Sequence, residues 1–168
     1  TRKSDNAMGA DNQQERRPAR ASLSGLELPE VDATSSLVGY YLAGFTDGEG
    51  SFNVSFRPRS DYRTPWKVSL CFNISQRDDT VLKLFQAVLG CGTLRQRRDG
   101  VWYFEVNNLE EIYAREIPFF EEHRFISRKK QRDFAKFKQI ARLVRSQLHL
   151  DREGIEKILT VRREMNDG

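Results

Sequence analysis

The sequence predicts an α+β domain of order α-ββ-α-ββ-α with further helices at its C-terminal end, and one antiparallel sheet covered by helices. Three observations point there. Two segments alternate apolar and polar residues strictly, a turn signal Arg98-Asp99-Gly100 sits between two shorter strand-like runs, and apolar residues recur at helical spacing before, between and after these pairs. At 168 residues there is room for one domain, or one domain and a tail.

Residues 1–34 are polar, mix Gly, Pro, Gln and Asn without periodicity, and read as a disordered or extended tail, with a short structured piece near Leu26–Leu28 as an option and Arg16, Arg17 and Arg20 as a possible DNA-tracking arm. Order is expected from residue 35, so that 35–168 form the domain. Thr34, Ser35 and Ser36 offer N-caps. Leu37, Val38, Tyr40, Tyr41, Leu42 and Phe45 then make a helix apolar on nearly all sides, expected to be buried and to stop at the glycines of Asp47-Gly48-Glu49-Gly50.

The first strand alternates Phe52, Val54 and Phe56 with Ser51, Asn53, Ser55 and Arg57. The second alternates Val68, Leu70, Phe72 and Ile74 with Lys67, Ser69, Cys71, Asn73 and Ser75. Asp78 or Asp79 caps a helix that buries Val81, Leu82, Leu84, Phe85, Val88 and Leu89 and ends at Gly90. A hairpin over 92–107 follows. Helices are expected over 109–122, with Pro118 breaking it, over 127–148, and from Asp151 to the end.

Composition narrows the function. No run approaches the roughly 18 apolar residues of a membrane span, and the first residues contain no apolar secretory core. Cys71, Cys91, His123 and His149 lack ligand spacing and read as structural, which suits a reducing intracellular compartment, whether a bacterial or archaeal cytoplasm or an organelle. The chain holds 28 Lys+Arg and 24 Asp+Glu. Five and six of these fall in residues 1–34, which leaves 23 against 18 in the domain and favours a polyanionic partner.

The polar sheet face displays Asn53, Ser55, Arg57, Arg59, Lys67, Ser69, Asn73, Arg95 and Arg97, with almost no acid. Asn, Ser and Arg suit base edges and phosphates in a major groove, although a plain solvated face would also be polar. Arg63, in the connection 58–65, suits a phosphate contact. Asp47 and Glu49 sit at the end of a helix, where partial negative charge disfavours acids; a hard cation such as Mg²⁺ or Ca²⁺ would offset that, and a solvated turn is the plainer alternative. Arg128, Lys129 and Lys130 open a helix, where cations oppose its dipole, and read either as a solvated first turn or as a phosphate clamp.

The stretch Leu42-Ala43-Gly44-Phe45-Thr46-Asp47-Gly48-Glu49-Gly50, with Ser51-Phe52 after it, resembles the motif of the LAGLIDADG homing endonucleases. So do Phe72-Asn73-Ile74-Ser75-Gln76, Ser127-Arg128-Lys129-Lys130 with Asp133-Phe134, and His149-Leu150, Glu153-Gly154 and Met165-Asn166. The resemblance spans 35–167. It implies the αββαββα fold with its sheet as a saddle on DNA, and a site-specific nuclease that cuts both strands across the minor groove and leaves short 3′ overhangs. One motif per chain implies a homodimer on a long, partly palindromic duplex, with motif helices packed through Gly39, Ala43 and Gly44. Glu49 is implied as the ligand of the catalytic cation, beside the Gly48 carbonyl; Gln76 positions water, and one of Arg128, Lys129 and Lys130, with Lys129 favoured and the register open by one, stands near the scissile phosphate. The implied cofactor is Mg²⁺, with Mn²⁺ able to substitute and Ca²⁺ able to bind without cleavage. Gln76 shares strand parity with the core residues Phe72 and Ile74, so this role requires the strand to end or bend before it. An RNA maturase or a non-catalytic DNA-binding regulator on the same fold is the alternative.

Overall fold

The computed structural model describes residues 32–58 and 66–165; the tail 1–31, the connection 59–65 with Arg59 and Arg63, and residues 166–168 lie outside the described residues. The order is α1 (Ser36–Glu49), β1 (Ser51–Pro58), β2 (Trp66–Gln76), α2 (Thr80–Leu89), β3 (Thr93–Gln96), β4 (Trp102–Val106), α3 (Leu109–Glu111), a π-helical turn (Ile112–Glu116), α4 (Ile117–Glu122), α5 (Arg128–Arg145), a 3₁₀ turn (Leu148–Leu150) and α6 (Arg152–Arg163). The four strands form one antiparallel sheet ordered β1-β2-β4-β3. This is the expected α+β architecture.

Local chemistry sets the element ends. The Ser35 hydroxyl accepts from Leu37 N–H to open α1, and Asp151 accepts from Gly154 N–H to open α6. Asp78, one residue before the cap position, takes the Thr80 N–H at 2.7 Å, and hydrogen bonds from the Thr80 side chain and then its backbone N–H hold the Asp78 carboxyl below the usual range. Gly90, at φ 64°, ends α2 in the left-handed region that an L side chain rarely adopts. Pro118 does not break its helix. The Ile117 N–H reaches back five residues to Ile112 O, so the wider π turn before α4 absorbs the proline and the helix runs on to Glu122.

The apolar faces of β1, β2 and β4 bury Phe52, Val54, Leu70, Phe72, Ile74, Phe104 and Val106 against the helices. Phe52 is the hub: its ring lies 5.1–5.9 Å from those of Phe72, Phe120, Phe125, Phe134 and Phe137, so one side chain ties β1 to β2, α4 and α5. Within this core Glu116 is fully buried on the π turn, with neither carboxylate oxygen hydrogen-bonded among the described residues; burial pushes its carboxyl well above the ordinary range. Among the described residues no helix is long and apolar enough to cross a membrane.

Candidate active site and nucleic-acid interface

Helix α1 does not stop at the first glycine of Asp47-Gly48-Glu49-Gly50. It continues through Glu49, and only Gly50 lies outside, its N–H bonded to Thr46 O at 2.9 Å. A side chain at Gly50 would meet Thr46 Cγ2 at 2.5 Å, so the direct passage from helix to strand demands glycine for space rather than for a left-handed φ. Both acids therefore sit on the last helical turn. Asp47 is engaged: it accepts from the Ser127 backbone N–H at 2.9 Å and from the Ser127 hydroxyl, 80 residues away. Glu49 is exposed and has no partner among the described residues.

The same contact brings the start of α5 to the end of α1. The Ser127 hydroxyl caps α5 by accepting from Lys130 N–H at 3.2 Å, and the Lys130 ammonium donates to Gly50 O. Burial lowers the Lys130 amine below its usual value, while Asp133 and Asp47 pull the other way. Lys129, the expected basic residue, points elsewhere: it is exposed and pairs with Asp133 at 3.7 Å along its own helix. One residue is about 100° of helical rotation, which turns Lys129 off the α1 side and leaves Lys130 on it.

Gln76 does not escape the sheet by a bend. The ladder continues through it, opposite Trp102, on the parity of the core residues Phe72 and Ile74. It is half-buried where Ile74 is fully buried. Because Ser51 pairs with Asn73, the end of β2 lies at the edge of the sheet where α1 hands over to β1, the edge that carries Glu49. A hard cation suits this end: Glu49 offers an unpartnered carboxylate and Gly48 a carbonyl, both oxygen donors. Among the described residues no three His, Cys, Asp or Glu gather into a metal-binding cluster.

Expected to be buried, α1 is instead two-sided. Val38, Gly39, Leu42, Ala43 and Thr46 face the chain's own core, while Leu37, Tyr40 and Tyr41 are 77%, 56% and 52% exposed, with Gly44 and Gly48 exposed on the same side. Of the three small residues expected between helices of two chains, Gly39 and Ala43 are thus turned inward. A Cβ on Gly39 would lie 2.1 Å from His123 Nε2; that imidazole is buried, in edge contact with Tyr40, and Gly39 serves this internal fit. Gly44, with nothing within 4 Å of its Cβ position, faces outward.

The polar sheet face forms as the alternation predicts. Asn53, Ser55 and Arg57 of β1 lie opposite Cys71, Ser69 and Lys67 of β2, and Asn73 lies opposite Glu105. Arg95 faces Tyr103, and Arg97, just past β3, pairs with Asp99 at 3.1 Å in the turn. The face is not free of acid: Glu105 lies on it and bonds Arg95 at 3.2 Å. Strand parity alone could have found it, since Glu105 alternates with the core residues Phe104 and Val106. Cys71 and Cys91 are free thiols, the latter pushed up to about 12 by burial and the nearby Glu111 and Glu116 carboxyls, which suits the structural reading of both.

The family described as LAGLIDADG endonuclease matches residues 42–141, more than half of the chain. The chain belongs to the LAGLIDADG endonuclease family. It is 32% identical over 130 residues to a probable intron-encoded endonuclease of Neurospora crassa, covering 76% of this chain and 27% of that protein. It is 29% identical over 142 residues to the DNA endonuclease I-CeuI of Chlamydomonas moewusii, covering 80% and 65%. The chain spans about a quarter of the length of the two Neurospora relatives it matches. Among solved LAGLIDADG structures, the homing endonuclease I-TnaI superposes with a TM-score of 0.71 at 33% identity, over 77% of this chain and 88% of that one. I-SmaMI bound to cleaved DNA superposes at 0.73 and 28%, over 77% and 44%.

Proposed function

We propose that this LAGLIDADG chain is a site-specific double-strand DNA endonuclease that acts as a homodimer with divalent cations. One juxtaposition carries the reading: Glu49, exposed and without a partner among the described residues, and the Lys130 ammonium, bonded to the adjacent Gly50 carbonyl, lie at the same end of a helix whose outer face is apolar and exposed. A second copy laid on Leu37, Tyr40, Tyr41 and Gly44 would remove that apolar surface from water and bring two Glu49 carboxylates to one axis. Each copy then supplies what the other lacks.

Mg²⁺, when bound by Glu49 and the Gly48 carbonyl, supplies Lewis-acid stabilisation of the charge that builds on the phosphodiester and eases loss of a proton from the attacking water. Mn²⁺ would serve likewise, and Ca²⁺ would bind without supporting cleavage; the neighbour I-SmaMI is known bound to uncleaved DNA in the presence of calcium ions. Lys130 holds a positive charge beside this end and takes the role expected of Lys129, and Gln76 offers its amide to orient water from the same edge of the sheet. Asn53, Ser55, Arg57, Lys67, Ser69, Asn73, Arg95 and Arg97 face the major groove on each side, and Arg59 and Arg63, outside the described residues, are further proposed DNA contacts. Two symmetric copies read a long, partly palindromic site and cut across the minor groove between the half-sites, leaving short 3′ overhangs.

The test is incubation of the purified chain with Mg²⁺ and duplex DNA carrying the uninterrupted allele of its own gene's insertion site. Double-strand breaks at one position, with 3′ overhangs read by end sequencing and abolished by chelator, are the expected result. Specific binding with no break under any divalent cation would refute catalysis and leave the regulator; preferential binding of the intron RNA would favour the maturase.

A further inference from the structure

Glu105 is the only acid among the residues of the four described strands, and it stands on the face whose other members are neutral or cationic. It pairs across the ladder with Asn73 on one side and Thr93 on the other, while Arg95 sits one ladder step along, opposite Tyr103. The carboxylate bonds an Arg95 terminal nitrogen at 3.2 Å; the Glu105 side chain is 15% exposed and that of Arg95 58%. The acid is thus held down on the sheet and the guanidinium rises from it. Glu105 lies on the inner strand β4 and Arg95 on the edge strand β3, so the pair spans the β3–β4 side of the face.

We propose that Arg95 and Glu105 form a pre-oriented reader of a single guanine in each half-site, with Arg95 touching the base and Glu105 as its positioning residue. This rests on the sheet being the DNA surface. Three points carry it. A lone arginine on a sheet gives up considerable rotamer freedom to adopt one pose, and the bond to Glu105 fixes that pose before DNA arrives. The guanidinium has five N–H donors in a fixed fork, so one nitrogen can serve Glu105 while an outer edge keeps two parallel donors, the pattern that matches guanine O6 and N7. A neighbouring carboxylate repels phosphate but not the neutral acceptors of a base edge, so the pair turns Arg95 away from the backbone and toward the base. Arg57 and Lys67, opposite one another at the far end of β1 and β2 with no acid between them, have no such bias.

The experiment selects bound duplexes from a randomised library with the wild-type chain, Arg95→Ala, Arg95→Lys and Glu105→Gln, and sequences the survivors. The wild type should demand guanine at one position per half-site. All three variants should lose that preference by roughly 5- to 100-fold at that position and no other. Arg95→Lys keeps the charge and loses only the fork, so it separates recognition from simple attraction. Glu105→Gln should in addition bind unselected DNA more tightly, because the repulsive charge is gone. Unchanged preference in Glu105→Gln, or loss at different base pairs in the Arg95 and Glu105 variants, would overturn the paired reader and leave the sheet as a DNA surface. A wild-type chain that enriches no sequence would overturn both.

Discussion

Replacing Ser127 with alanine tests whether the link between α1 and α5 is a helix cap alone or a device that holds Lys130 in place. The Ser127 hydroxyl accepts from Lys130 N–H and donates to Asp47. Loss of the cap costs about 1 kcal/mol. The bond to a carboxylate is charge-assisted but exposed, which limits its net worth to about 0–1 kcal/mol. Stability should therefore fall by about 1–2 kcal/mol, and Tm by roughly 2–8 °C for a chain of this size. The helix should not come free, because the Ser127 backbone N–H still reaches Asp47 at 2.9 Å. What loosens is the first turn that carries Lys130 to Gly50. A misplacement of about 1 Å near the reacting centre can cost on the order of 100-fold in rate. Single-turnover cleavage should accordingly slow by about 10- to 100-fold at saturating protein, while DNA affinity changes little. Asp47→Ala should slow it similarly, and the double variant should be less impaired than the product of the two. A Ser127→Ala protein that melts lower but cuts at the wild-type rate would refute the positioning role and leave only the cap.

Three other outcomes are expected. Glu49→Gln should retain specific binding and lose cleavage, because an amide is a poor ligand for a hard cation; cutting at the wild-type rate in a gel assay would remove Glu49 from the active site. Gly44→Leu should fold, since nothing lies within 4 Å of its Cβ position, yet sediment as a monomer where the wild type sediments as a dimer at micromolar concentration; a dimer in both would move the interface away from α1. Glu116→Met should raise stability at neutral pH. The folded-state carboxyl titrates well above its ordinary 4.5, so the folded form holds a proton that the unfolded form has lost. Wild-type stability is therefore fully present below about pH 4.5 and falls by roughly 1.4 kcal/mol per pH unit above it, until the folded-state value is passed. Urea midpoints between pH 4 and 8 should show that slope in the wild type and not in the variant; parallel curves would mean that Glu116 has a partner in solution.

Some of this protein was settled by its sequence. Strict alternation placed β1 and β2 and their polar faces, the glycines and caps placed the turns, and the nine residues from Leu42 to Gly50 placed the acids at a helix end. These are local signals, carried by residues within one or two turns of each other. What the sequence left open is angular or distant. Whether Lys129 or Lys130 faces the active-site end depends on a helix phase that only packing fixes. Gly39 and Ala43 read as small residues of an outer interface, until His123, 84 positions from Gly39 in the chain, fills the space beside Gly39. Asp47 reads as a ligand until Ser127 occupies it. Gln76 reads as lying past the end or a bend of its strand until the ladder carries β2 through it, opposite Trp102. Periodicity fixes which residues share a face, but which face meets what is a property of the assembled chain, because the partners of these groups come from elements far apart in sequence.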